Sequence, residues 1–494
     1  MTPSTDHSEL VNKILTGARW ATVLRLGAQI VSWVSTIIVV RFISPEDYGL
    51  NAMLTSPLVL MMLVSTLGLE AALVQARNIS HEELQSTFGW LLLINGLLFV
   101  SYFFGGAILA AYFNEPRLET LAQVLAFIFL LVPFRVIPNA ILDRELDFKL
   151  RAQLEITASL IAALATVLMA YFGAGVWALV IGMVVNKTLL AILLMVFKPW
   201  FIVPTFNLTV TRRMMVMGGI ITMSGFLALL SDQLITLVAG PALGATVLGI
   251  YGMSAELASL PLSKFMPVIN QTMLPAFARF QEDRAAATRY FEKLLGVTSL
   301  AFIPMMVGMA SVADTLVLSV FGEKWAQSIL PLILMSLGMA FRMLALQLMT
   351  AATSMGRADI SLKSHLLQLL LLLPLTVYAM AYGVIGLMTA WVLTELLVMI
   401  ATVLMSKSVL DITFISLLRS YRPALLSSAL MAMMVIGSKT LPQLPNNVLV
   451  LIMQVTVGVI SYYLATRLLF AQQFQTAFTT VFGNRFSFLG TKAS

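Results

Sequence analysis

Residues 176–197 read VWALVIGMVVNKTLLAILLMVF. A helix needs about 20 predominantly apolar residues to cross the hydrocarbon core of a bilayer, and this run meets that length. It is continuous and does not alternate apolar with polar residues, so it reads as a membrane helix and not as a barrel strand. One charge, Lys187, sits near its centre. A cation at that depth costs roughly 2.5–3.5 kcal/mol or more, which makes it a functional-site hypothesis by default.

Runs of the same kind follow one another along most of the chain. Apolar residues make up 59% of the 494 residues and charged residues 11%, where a soluble domain carries about 25% charged residues. No water-soluble fold of this length could hide so much apolar surface. The chain has room for about fourteen spans, among them 16–40, 48–74, 118–142, 214–238, 246–275, 329–354 and 384–405. The expected fold is all-α: a polytopic membrane protein with two pseudo-symmetric six-helix lobes and two extra C-terminal helices. The polar stretch Met1 to Leu15 lacks the basic-then-apolar layout of a cleaved signal peptide, so the first span is expected to remain as an anchor.

A net charge of +7 could suggest nucleic acid, but its distribution argues against such a partner. With the N-terminus placed in the cytoplasm, about 20 Lys and Arg between spans fall on that side. The opposite side collects Arg41, Arg117, Lys324 and Lys439. This positive-inside excess places both termini in the cytoplasm and draws anionic lipid headgroups. Cysteine is absent, which excludes disulfides and thiolate chemistry. Catalytic and nucleotide-binding motifs such as HExxH, GxxxxGK[ST] and GxSxG are absent too, so neither an enzyme nor an ATP-driven pump is expected. No metal or cofactor is expected.

A faint internal repeat runs at an offset of about 203–208 residues. Tyr48-Gly49 matches Tyr251-Gly252, Phe134-Arg135 matches Phe341-Arg342, and Gly175-Val176 with Leu179 matches Gly383-Val384 with Leu387. Lys187 then falls opposite Glu395. Six spans per unit give both units the same orientation, as in parallel-repeat transporters. The expected domains are an N-terminal lobe over 1–200, a C-terminal lobe over 205–405, two further helices within 415–470, and a cytoplasmic tail over 471–494.

Ten ionisable residues fall well inside spans. Six are basic: Arg19, Arg25, Arg135, Lys187, Lys264 and Arg342. Four are acidic: Glu70, Asp232, Glu256 and Glu395. A structural set of ion pairs would balance to zero, whereas a surplus of cations suits an anionic substrate, and Arg matches phosphate oxygens in bidentate fashion. Thr22, Arg25, Gln29, Ser32 and Thr36 share one face of span one, and Glu256, Ser259, Ser263, Pro267 and Asn270 share one face of span eight. The candidate substrate-binding residues are Arg25, Gln29, Arg135, Lys187, Lys264, Asn270 and Arg342. Asp232, Glu256 and Glu395 are candidates for a coupling proton or sodium ion. The plainer alternatives are snorkelling for Arg19 and a salt bridge between the halves for Lys187 and Glu395.

Several phrases carry a family resemblance. RFISPEDYGL (41–50), LGLEAALVQ (67–75), ISHEELQSTFGW (79–90), DRELDFK (143–149), YFGAGVWALV (171–180), LGIYGMSAELASLPLSKFMPVINQTMLPAFARFQ (248–281), FGEKWAQSILPL (321–332) and MGRADI (355–360) resemble Wzx-type polysaccharide flippases, in the colanic-acid-exporter-like branch. The resemblance implies a two-lobed bundle of the multidrug/oligosaccharidyl-lipid/polysaccharide exporter superfamily in the bacterial inner membrane. The implied cargo is an undecaprenyl-diphosphate-linked oligosaccharide, turned from the cytoplasmic to the periplasmic leaflet by alternating access. Polysaccharide polymerase and chain-length machinery are further candidate partners beside the lipid bilayer. A cation-coupled drug exporter of the same superfamily is the first alternative, though it would want a net acidic cavity. A polytopic polysaccharide polymerase or ligase is the second, though such enzymes carry a long periplasmic loop.

Overall fold

Among the residues described by the computed structural model (34–76, 79–280, 283–440 and 447–475), every regular element is helical and none is a strand. The all-α expectation holds. Nine helical segments in this set are long and apolar enough to cross a membrane, or ten when one bent pair counts as a single span. The expected fourteen is not reproduced by that count. Two of the nine, 225–279 and 358–406, are each about twice as long as one crossing requires.

By internal contacts the chain divides into two units, one ending at Gly249 and the other starting at Ile250. The first holds α1 (34–42), α2 (Pro45–Thr66), α3 (Leu69–Gln75), α4 (His81–Phe113), α5 (Arg117–Leu131), α6 (Pro133–Arg144), α7 (Phe148–Tyr171) and α8 (Val176–Phe197). The long α9 (Leu208–Arg279) runs through the division, with a non-helical residue at Gly244 (φ 77°, ψ 175°). Helical geometry continues through Pro261 and Pro267. The second unit adds α10 (Arg284–Leu316), α11 (Ile329–Ser354), α12 (Ala358–Ala379), α13 (Gly383–Ser406), α14 (Phe414–Ser438) and α15 (Asn447–Leu469).

Local chemistry sets the helix starts. Ser44 caps α2, its hydroxyl accepting from Asp47 N at 3.1 Å, with Pro45 at the first helical position and Glu46 and Asp47 in the first turn. Ser80 and Glu83 form a reciprocal capping box on α4. Asp147 caps α7 and Asp283 caps α10. These caps satisfy N–H groups that have no partner inside their own helix.

The apolar residues then sort by position. In the first unit Leu50, Met53, Leu54, Leu121, Leu125 and Phe129 are fully or almost fully buried in one cluster. Other large apolar side chains point outward: Phe104 is 69% exposed, Ile108 73% and Leu370 71%. Such broad apolar surface is stable only against lipid. The two C-terminal helices, expected to stand outside the repeat, pack in the second unit on α10, where Met431 and Val435 of α14 meet Val312.

Close backbone contact between α2 and α9 holds this stretch of α9 in the first unit. A Cβ on Gly49 would stand 1.7 Å from the carbonyl oxygen of Ala245, and one on Gly249 would stand 1.8 Å from that of Pro45. The backbones of α2 and α9 therefore touch, a crossing that only small residues permit. Gly49→Val should lower the thermal midpoint of the detergent-purified protein, by a destabilisation of about 1–3 kcal/mol or more. Gly96→Ala, in α4 with open space around the added methyl, should leave the midpoint unchanged or raise it, and intrinsic fluorescence would follow both.

Candidate functional site

The two units treat their buried charges differently. In the first, Pro133 opens α6 after a 41° bend from α5. Proline has no N–H to give to the preceding turn, so a break here costs little. Arg135 follows in the first turn of the new segment. Its Nε and Nη1 are buried and find no acceptor among the described residues. α6 packs on α8, which carries Lys187. The charges of Arg135 and Lys187 lie close enough to repel, and Glu155 of α7 attracts both. Lys187 forms no salt bridge among the described residues.

The carboxylates nearby are mostly committed elsewhere. Arg151 takes Glu155 at 3.0 Å and also pairs with Asp143. Glu70 acts on Arg135 through space without a direct ion pair among the described residues. Three cations and three carboxylates thus balance in number, yet their pairing is uneven. Arg151 takes two carboxylates, and Arg135 and Lys187 take none directly. A guanidinium with buried unpaired donors is costly, and an anion with several acceptor oxygens is the partner that would relieve it.

In the second unit the corresponding position is closed. Arg342 Nη1 meets Glu395 Oε1 at 2.9 Å, with side-chain exposures of 17% and 3%. Gln368 Nε2 donates to the same oxygen at 2.9 Å. Ser364 and Thr402 hydroxyls meet at 2.9 Å nearby. The helices supply this by periodicity: Ser364, Gln368 and Thr376 lie on one buried face of α12, and Glu395 and Thr402 on one buried face of α13. Arg342 is therefore compensated, which removes it from the surplus of cations counted in the sequence. The partner of Glu395 is also found within its own unit.

Of the other candidates, Asn270 accepts from Thr350 Oγ1 at 3.0 Å, tying α9 to α11. Asp232, Glu256 and Lys264 are exposed on α9, and each makes at least one polar or electrostatic contact. Ser259 and Ser263 return their hydroxyls to the backbone of α9, at Glu256 O and Leu260 O. Arg19, Arg25 and Gln29 lie outside the described residues, so the polar face of span one is not part of this site as described. Sequence reading missed Gln368, Arg151 and Glu155. A glutamine inside the run LLQLLLLLP (366–374) was the available signal for the first. Arg151 and Glu155 lie in the first turns of α7, outside the ten charges counted well inside spans. Among the described residues no three His, Asp or Glu gather as a metal site.

Fold and site together define a multi-pass helical membrane protein with buried basic groups. Among solved structures, the lipid II flippase MurJ in an inward closed conformation superposes with a TM-score of 0.73 at 13% identity, covering 92% of this chain and 99% of that one. A family profile described as "Polysaccharide biosynthesis protein" matches residues 38–330. The lipopolysaccharide biosynthesis protein WzxC of Escherichia coli (strain K12) is 29% identical over 399 residues, 78% of this chain and 80% of WzxC. The teichuronic acid biosynthesis protein TuaB of Bacillus subtilis (strain 168) is 23% identical over 355 residues, 71% of this chain and 73% of TuaB. The chain belongs to this polysaccharide biosynthesis protein family.

Arg342→Ala should destabilise the protein by about 3–5 kcal/mol, because it leaves Glu395 buried without its counter-charge. Adding Glu395→Gln to that variant should recover most of the loss. Thermal unfolding of both single variants and the double would measure the coupling, and an additive double would disprove it.

Proposed function

We propose that this protein is a flippase that moves an undecaprenyl-diphosphate-linked oligosaccharide from the cytoplasmic to the periplasmic leaflet of the bacterial inner membrane. The single observation that carries the proposal is the pair Arg135 and Lys187, two cations held within a membrane unit without direct counter-charges among the described residues. A diphosphate offers several anionic oxygens, enough to engage the fork of Arg135 and the ammonium of Lys187 together. The polyprenyl tail stays in lipid throughout. The lobes 1–200 and 205–405 exchange access by rocking, as expected for a parallel repeat, and both termini face the cytoplasm.

Glycan supply and family membership agree with this cargo, since the relatives are named for lipopolysaccharide and teichuronic acid biosynthesis. A cationic drug is a poor fit for the same place, because Arg135 and Lys187 would repel it. Arg25 and Gln29 of span one complete the proposed contacts. Glu395 is assigned to Arg342, which leaves Asp232 and Glu256 as the coupling candidates. Exported units would then pass to polymerase and chain-length machinery.

The test is leaflet exposure of a polyprenyl-diphosphate oligosaccharide in vesicles holding the purified protein. Arg135→Gln and Lys187→Ala should each slow movement at least about 10-fold, the scale expected when a charged hydrogen bond to phosphate is lost. Their melting midpoints should stay near that of the unmodified protein. Unchanged rates in both variants would remove the assignment.

A further inference from the structure

A second charged place lies far along the second unit, where α10 and α14 begin and the chain leaves α15. There a cavity of about 440 Å³ is lined by Arg289, Glu292 and Lys293 of α10, Arg419 and Ser420 of α14, and Gln473. Among the described residues none of the three cations forms a salt bridge, and Glu292 is the one acidic group in the lining. Among the described residues the lining carries a net charge of +2, from Arg289, Lys293 and Arg419 against Glu292.

This cavity adjoins an apolar groove. Leu300 lines both. The groove holds about 620 Å³ between α10, α14 and α15, with Met305, Val312, Met431, Val455 and Val459 in its walls. Val455 and Val459 are 49% and 64% exposed, so the groove is open along its side to the bilayer. Residues of α10 line both parts. Arg289 and Lys293 stand four residues apart, and Leu300, Pro304, Gly308, Val312 and Leu316 continue at the same step. From Leu300 to Leu316 the groove is about 24 Å long at the helical rise.

The sequence shapes that face. Pro304 gives no N–H to the carbonyl of Leu300, one turn back, and Tyr462 of α15 donates its hydroxyl to that carbonyl at 2.6 Å. The join between charged cavity and groove is thereby pinned to α15. Gly308 lines the groove without a side chain, and a Cβ there would stand 3.5 Å from Met431 Cε.

We infer that cavity and groove together bind an anionic phospholipid, its phosphate against Arg289, Lys293 and Arg419 and its acyl chain along α10. Charge complementarity at one end only, with an apolar slot open to the bilayer at the other, is the pattern of an amphiphile. Basic pockets on the cytoplasmic side of membrane helices take anionic headgroups in this way. Ser420 and Gln473 supply neutral hydrogen-bonding groups for the rest of the headgroup. The site shares no residue with the cations proposed for the cargo, so it stands or falls separately from the flipping proposal.

The full-length protein, purified in a mild detergent, would be titrated with phosphatidylglycerol, phosphatidylethanolamine or undecaprenyl phosphate, and bound lipid counted by native mass spectrometry. Phosphatidylglycerol should be retained at one copy per chain in preference to the other two. The triple variant Arg289→Gln, Lys293→Gln and Arg419→Gln should weaken that binding at least about 10-fold, since each basic residue near a lipid surface adds attraction. Val455→Trp, which fills the groove and leaves every charge in place, should weaken it as well and serves if the triple variant fails to fold. Equal retention of phosphatidylglycerol and phosphatidylethanolamine would overturn the inference. So would a preference for undecaprenyl phosphate, or wild-type binding by both variants.

Discussion

A guanidinium in hydrocarbon has no water to turn to, so its charge must be met by protein or by something the protein holds. That constraint organises both units. In the second, Arg342 is answered by Glu395, and Gln368 adds a donor to the same carboxylate. In the first, Arg135 lies within electrostatic reach of Lys187 and keeps two buried nitrogens without an acceptor among the described residues. Closed and open versions of the arrangement thus fall on residues that the sequence matches pair, Arg342 with Arg135 and Glu395 with Lys187.

The difference comes down to a few substitutions. Where the second unit carries Glu395, the first carries Lys187, and the local charge changes by two. Where α11 is continuous, the matching part of the first unit is broken at Pro133, just ahead of Arg135. A salt bridge that is buried and hydrogen-bonded holds its helices in register and leaves little affinity for outside ions. Two like charges held close have the opposite property. They are stable only when a carboxylate at some distance, such as Glu155 or Glu70, or a bound anion offsets them. A transporter needs such a place to be unsatisfied in one state, because binding energy comes from relieving it.

Much of the fold was legible in the chain. Helical spans follow from runs such as 176–197, and the phrases that resemble the flippase family are largely helix-start chemistry. SPED over 44–47 is an N-cap, a first-turn proline and two first-turn acids, and SHEE over 80–83 is a capping box. Local hydrogen bonds of this kind reach three residues, so a one-dimensional reading can see them. The number of crossings was less legible, because α9 and the α12–α13 region run through the points where spans meet. Of the site, Arg135 and Lys187 were found because a cation in an apolar run is visible without a structure. Gln368 escaped because an uncharged polar residue costs less there and stands out less. The commitment of Glu155 and Asp143 to Arg151 escaped because it depends on how α7 meets the end of α6.

By itself the sequence determined that lipid is the solvent, that helices cross it, and that some cations lie inside, since all three depend on composition and short spacing. Tertiary structure alone decided which of those cations keep a free charge. Neutralisation is a matter of a few ångströms between residues more than fifty positions apart, as with Arg342 and Glu395, and no local pattern records that distance.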